Sequence, residues 1–198
     1  MRIKIEDHSL VLSSNNSKMG RVHSFSTMPI LTCRSDAPCK KECYAVKLCR
    51  IFKNTKKSYQ DNTDTLMFCE PEKIIEKLIQ YITLYNVKLF RWNVSGDFNI
   101  DKYFDITLEV AKQCPGCNFL AFTKMYDLSK VKLPQNYKLV FSCWGNMKPE
   151  NEREVPCAYF DNGIYEIPEY AKRCSGGCDK CMKCWKLKAG QAVKFKKH

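Results

Sequence analysis

Cysteine placement constrains this chain more than any other feature: it has 13 cysteines in 198 residues, against 3 histidines. Seven of them crowd into two short runs. In TCRSDAPCKKECYA, Cys33, Cys39 and Cys43 are spaced C-x5-C-x3-C, and near the end CSGGCDKCMKC brings together Cys174, Cys178, Cys181 and Cys184. Thiols at this density either form a disulfide framework or ligate metal, and the redox compartment decides between the two. No early stretch joins a charged start to an apolar run, and no segment of about 18 apolar residues occurs. Neither a secretory leader nor a membrane span is expected. The sequence therefore places the chain in the cytoplasm, where thiols stay reduced and metal ligation is the favoured reading.

The two runs differ in what they leave open. Three thiolates at Cys33, Cys39 and Cys43 would leave one corner of a four-iron cluster without a protein ligand, and an open coordination position lets a metal activate a small molecule. The bland alternatives are a zinc site completed by Cys49 or His23, or ordinary packed thiols. The C-x2-C-x2-C run of Cys178, Cys181 and Cys184 has the form of a loop that wraps an iron-sulfur cubane, with Cys174 or Cys157 as the fourth ligand. Zinc ribbons separate their two knuckles by a longer span, which favours iron-sulfur here. Among the rest, Cys49 and Cys69 read as packed thiols, and Cys114 and Cys117 enclose a Pro-Gly helix stop. Cys143 ends a strand and faces either a site or the core, and Trp144 covers a ligand or fills volume.

Periodicity supplies the frame. Residues 1 to 20 read as a strand and loop, and the alternation in VHSFSTMPI (22 to 30) suggests a second strand. KKECYAVKLCRIF (40 to 52) makes one helical face with Cys43 at its start. Pro71 opens a helix whose Ile74, Ile75, Leu78, Ile79 and Ile82 recur at helical spacing. Strand (87 to 94), helix (101 to 114), strand (118 to 124) and two further strands (137 to 144 and 155 to 160) follow. Such alternation predicts an α/β fold with a mostly parallel sheet and right-handed crossovers. A closed eight-unit barrel needs about 250 residues, so a partial (βα) barrel is expected over residues 1–160, with a small cysteine-rich metal module and basic tail over 161–198.

In RWNVSGDFN, a turn follows a strand at the carboxyl edge of that sheet, where ligands gather. Gly96 would admit a close approach and Asp97 would offer a carboxylate. The bland reading of Ser95-Gly96-Asp97 is a capped turn, and Asn93 either points inward or closes the strand. The formal charge is +12; two thiolate-bound clusters would lower it only to about +9. The balance favours anionic partners, nucleic acid or a nucleotide among them, with the tail KLKAGQAVKFKKH either solvated or in contact with phosphate.

SFSTMPILTC, CKKECYA, FRWNVSGDF, FLAFTK and the closing C-x2-C-x2-C-W together resemble the bacteriophage "gene product eighty-eight" family. More distantly, they resemble phage proteins of the radical S-adenosylmethionine superfamily. That resemblance implies a cluster on Cys33, Cys39 and Cys43 with S-adenosylmethionine chelating its free iron, and an external electron donor. Gly96 and Asp97, with Asn93 and Ser95 beside them, would stand at the contact to the methionine amine, and Tyr44 is the aromatic residue of the cysteine motif. The superfamily's usual C-x3-C-x2-C is stretched here, and Tyr44 follows the last cysteine instead of preceding it. A phage-encoded chain would work in the cytoplasm of a bacterial host. A non-catalytic cysteine-metal module that binds nucleic acid or a host protein is the competing expectation.

Overall fold

The computed structural model describes residues 1–196. Two short antiparallel strands, β1 (Arg2–Ile5) and β2 (His8–Val11), form an N-terminal hairpin. The rest is built around a seven-stranded sheet in the order β3 (His23–Ser24), β4 (Leu89–Trp92), β5 (Asn118–Thr123), β6 (Tyr137–Cys143), β7 (Cys157–Asp161), β9 (Ala192–Lys196) and β8 (Lys172–Arg173). Every described pairing in it is parallel. The fold is thus mixed α/β, and the expected mostly parallel sheet is present.

Strands β3 to β7 follow one another in space as in sequence, because each crossover returns the chain beside the strand it left. Two of these crossovers carry the helices α3 (Pro71–Leu84) and α4 (Tyr103–Gln113). Their buried Ile74, Leu78, Ile106 and Val110 pack in one core with Phe90, Trp92, Phe119 and Leu139 from one face of the sheet. The opposite face carries a smaller core of Leu120, Val140, Ala158 and Val193, covered by Leu187 and, at its margin, Cys184 and Trp185.

Three elements differ from the sequence expectation. The strand expected over 22 to 30 is reduced to β3; beyond it the chain stays beside β4 through single bonds, Phe25 N to Arg91 O at 3.1 Å and Thr27 N to Ser95 O at 3.0 Å. Within the tail, expected to be solvated or in contact with phosphate, β9 lies between β7 and β8, so the segment after residue 160 is woven into the main sheet. The tail's last two residues, Lys197 and His198, lie outside the described residues.

The third difference is α2 (Lys53–Phe68), a helix where only a polar stretch was expected after α1 (Tyr44–Ile51). Its buried face is itself polar, with Asn62, Thr63 and Thr65 beside Leu66. Asn62 accepts from Val11 N at 2.6 Å and donates to Val11 O at 2.9 Å and Ser26 O at 2.8 Å. Thr63 accepts from Met28 N at 2.9 Å, and Thr65 donates to Ser9 O at 2.9 Å. Side-chain bonds to backbone therefore dock α2 against the hairpin and the segment entering the cysteine loop. Replacing Asn62 by Ala strands three backbone partners, and we expect a loss of about 2–4 kcal/mol in urea unfolding. The exposed Asn54→Ala in the same helix should stay within about 0.5 kcal/mol.

Candidate metal centres

The first thiol group sits on a loop tied across the carboxyl ends of β4 and β5. Asp97, buried just past β4, does most of the tying. Its Oδ1 accepts from Thr123 Oγ1 at 2.6 Å and Phe98 N at 2.9 Å, and its Oδ2 accepts from Lys124 N at 2.8 Å. Burial pushes the Asp97 carboxyl above its usual range, opposed by the bonds from Thr123, Lys124 and Phe98. The Asp97 N–H donates to Thr32 Oγ1 at 3.2 Å, one residue before Cys33.

Thr32 is a junction. Its hydroxyl donates to Met28 O at 2.9 Å and accepts from Thr27 Oγ1 at 2.9 Å, and its carbonyl accepts from Asn99 N at 3.2 Å. Gly96 closes over this pair with φ +81°; a Cβ there would fall 1.9 Å from Thr27 Oγ1 and 2.4 Å from Thr32 Oγ1. The close approach that Gly96 permits is thus made by the protein's own threonines, where the sequence suggested a ligand. Ser95 belongs to the same lock, its Oγ donating to Thr27 O at 3.0 Å. Asn93, at φ +53°, turns inward to accept from Tyr103 OH at 2.8 Å, and its buried Nδ2 has no partner among the described residues. Beyond Cys33 the loop is held again by Arg34, which donates to Lys124 O at 2.8 Å.

Cys39 lies in a 3-10 turn (Pro38–Glu42), and Cys43 caps α1 as the sequence suggested. Cys33 feels the other two thiols. Burial pushes Cys33 up to about 11, and Asp97, Cys39 and Cys43 add to the rise. Tyr44 is 44 % exposed, and its hydroxyl donates to Val94 O, two residues beyond β4. Cys33, held above its ordinary pKa beside two further thiols, would be deprotonated by a cationic metal core on binding.

The second group forms a knuckle around α5 (Cys178–Cys181). Cys178 N donates to Lys18 O at 3.3 Å, and Cys174 N donates to Lys194 O of β9 at 2.9 Å, fixing the module to both ends of the chain. Ser175 Oγ donates to Cys181 Sγ at 3.4 Å. Burial pushes Cys184 up to about 12, relieved in part by Arg91 and reinforced by Cys174, Cys178 and Cys181. Cys174 is therefore grouped with the run. Cys157, the other candidate for the fourth place, is not: it lies in the helix-side core beside Cys143, across the sheet from Cys184. Strand alternation explains the separation, since Cys157 and its neighbour Ala158 point to opposite faces.

The remaining candidates pack. His23 shares a 2.6 Å bond with Tyr81 through Nδ1 and is shifted down by burial. Cys49 and Cys69 are buried, and Cys114 and Cys117 form the turn that ends α4. Trp144 stacks on Phe160 with centroids 3.8 Å apart. Among the described residues no three His, Cys, Asp or Glu side chains converge on a single metal ion. Nor is any described helix long and apolar enough to cross a membrane.

Sheet and site define a class: a mixed α/β protein whose parallel sheet carries one thiol group at its carboxyl edge and a second against one face. The particular family follows, for the family model described as Gene product 88 matches residues 10–187, and the chain belongs to that family. Curated proteins and solved structures give no match.

Proposed function

We propose that this is an iron-sulfur protein of radical S-adenosylmethionine type, built on an incomplete barrel and acting on an anionic substrate such as a nucleotide or nucleic acid. One observation carries the reading: the three-thiol loop is locked, through Asp97, Thr32 and Gly96, to the carboxyl edge of a sequentially ordered parallel sheet, where such sheets gather ligands. A cluster bound by Cys33, Cys39 and Cys43 would supply one iron without a protein ligand and an electron for reductive cleavage of a sulfonium. The chain's own part is to hold that loop rigid and to offer the spare lone pair on Asp97 Oδ2 to a ligand amine. Cys174, Cys178, Cys181 and Cys184 would hold a second cluster, and the surplus of positive charge would attract the substrate.

A second reading is favoured by the same turn. Asp97 is already engaged by three donors and the space above Gly96 is filled by Thr27 and Thr32, as in a purely structural lock. In that case the protein is a non-catalytic metal module that binds nucleic acid or a host protein. Purification without oxygen separates the readings. The iron-sulfur proposal expects a brown protein with about eight irons, falling to about four in Cys39→Ala. After dithionite reduction and addition of S-adenosylmethionine, chromatography should show slow formation of methionine and 5′-deoxyadenosine. A colourless, zinc-loaded chain sinks the iron-sulfur reading; a loaded chain that neither binds nor cleaves S-adenosylmethionine leaves the structural one.

A further inference from the structure

Arg91 stands at the centre of an apolar strand, where a charged side chain requires a partner. On β4 the alternation sends Phe90 and Trp92 into the helix-side core and Arg91 to the opposite face, level with Leu120 on β5. There its Cζ lies 4.6 Å from the Phe122 ring, and its Nη1 donates to Met19 Sδ at 3.7 Å. Its Nε is buried without a partner, and among the described residues no ion pair includes it.

The second thiol group lies on the same face of the sheet as this cation. Phe122, the ring beneath the guanidinium, packs with Cys184 and Trp185 against the smaller core. Lys18, next to Met19, receives the backbone bond from Cys178, and Arg21 N donates to Asp179 Oδ2 at 3.3 Å. The segment touching Arg91 is thus the one on which the second thiol group docks.

We propose that Arg91 is the fixed positive charge facing the centre held by Cys174, Cys178, Cys181 and Cys184, and that it sets the reduction potential of that centre. This rests on the iron-sulfur reading. A four-iron cluster on four thiolates is anionic and becomes more so on reduction, so an adjacent guanidinium stabilises the reduced form and raises the potential.

The test uses the full chain with Cys39→Ala, so that iron remains only at the second group, loaded anaerobically and titrated potentiometrically with visible and electron-paramagnetic-resonance readouts. Arg91→Gln should shift the reduction equilibrium at least tenfold toward the oxidised form, about 59 mV for one electron. Arg91→Lys keeps the charge and should stay within about threefold of the parent. If Arg91→Gln does not fold, Arg91→Lys decides alone: a folded, loaded Lys variant displaced tenfold overturns the proposal. A Gln variant that is loaded and unshifted overturns it as well. A Cys39→Ala chain that retains no iron overturns the iron-sulfur reading, and the proposal with it.

Discussion

Gly96→Ala should destabilise the metal-free protein by about 2–5 kcal/mol. Two costs combine. At φ +81° any side chain is strained, which costs about 1–2 kcal/mol. The added Cβ also falls 1.9 Å from Thr27 Oγ1 and 2.4 Å from Thr32 Oγ1, and forcing an extra carbon into a filled site costs about 1–3 kcal/mol. Gly163→Ala separates the two, because it has φ +77° and, among the described residues, nothing lies within 4 Å of the new Cβ. It should lose only the strain. Urea unfolding under reducing conditions, with chelator, measures both variants. A Gly96→Ala loss no larger than that of Gly163→Ala would mean that the threonine pair yields without cost, and that the lock on the cysteine loop is soft. Thr32 precedes Cys33, so Gly96→Ala should also lower iron retention after anaerobic loading, whereas Gly163→Ala should not.

Why some of this was legible in the sequence and some was not follows from how each element is held. Helices α3 and α4 and strands β4 to β7 bury apolar side chains, and burial leaves a period of 3.6 or 2 that can be read directly. Helix α2 is held by Asn62, Thr63 and Thr65 bonding to distant backbone, and polar residues that satisfy a partner 35 to 56 positions away leave no such period. Strand β9 did carry an alternating pattern, Val193 and Phe195 between lysines, but the basic composition of the tail masked it. At the site, the crowding of the cysteines and the turn after β4 were local signals. Thr27, Thr32, Thr123 and Asn99 were not, since each matters only through a tertiary partner. Arg91 did leave a trace, a charge inside the apolar run VKLFRWNV, which buried-charge reasoning would have singled out.

The opposite consequence attaches to the second thiol group. With the proposed clusters bound, Cys181→Ala should cost about 3–5 kcal/mol, and Cys39→Ala less than about 1 kcal/mol. The knuckle and the turn after it cover Leu120, Val140 and Val193 through Leu187, Cys184 and Trp185. Fully exposing one such side chain costs about 1.5–3 kcal/mol, so partial uncovering of three gives the larger figure. The knuckle has little to hold it in place without metal, because α5 is four residues long and buries none of them. Cys181 is the informative position: it lies outside the smaller core, so its replacement removes a proposed ligand without opening a cavity. The 3-10 turn of Cys39 likewise has no buried residue, yet its loop is locked independently by Thr32, Asp97 and Arg34, and loss of the proposed metal would leave that lock in place. Thermal unfolding of loaded chains should therefore show Cys181→Ala lower by about 6–20 °C, with both variants matching the parent once metal is stripped from all three. Equal losses in the loaded chains, or a Cys181→Ala deficit that persists without metal, would show that the knuckle is held by packing and not by its ligand.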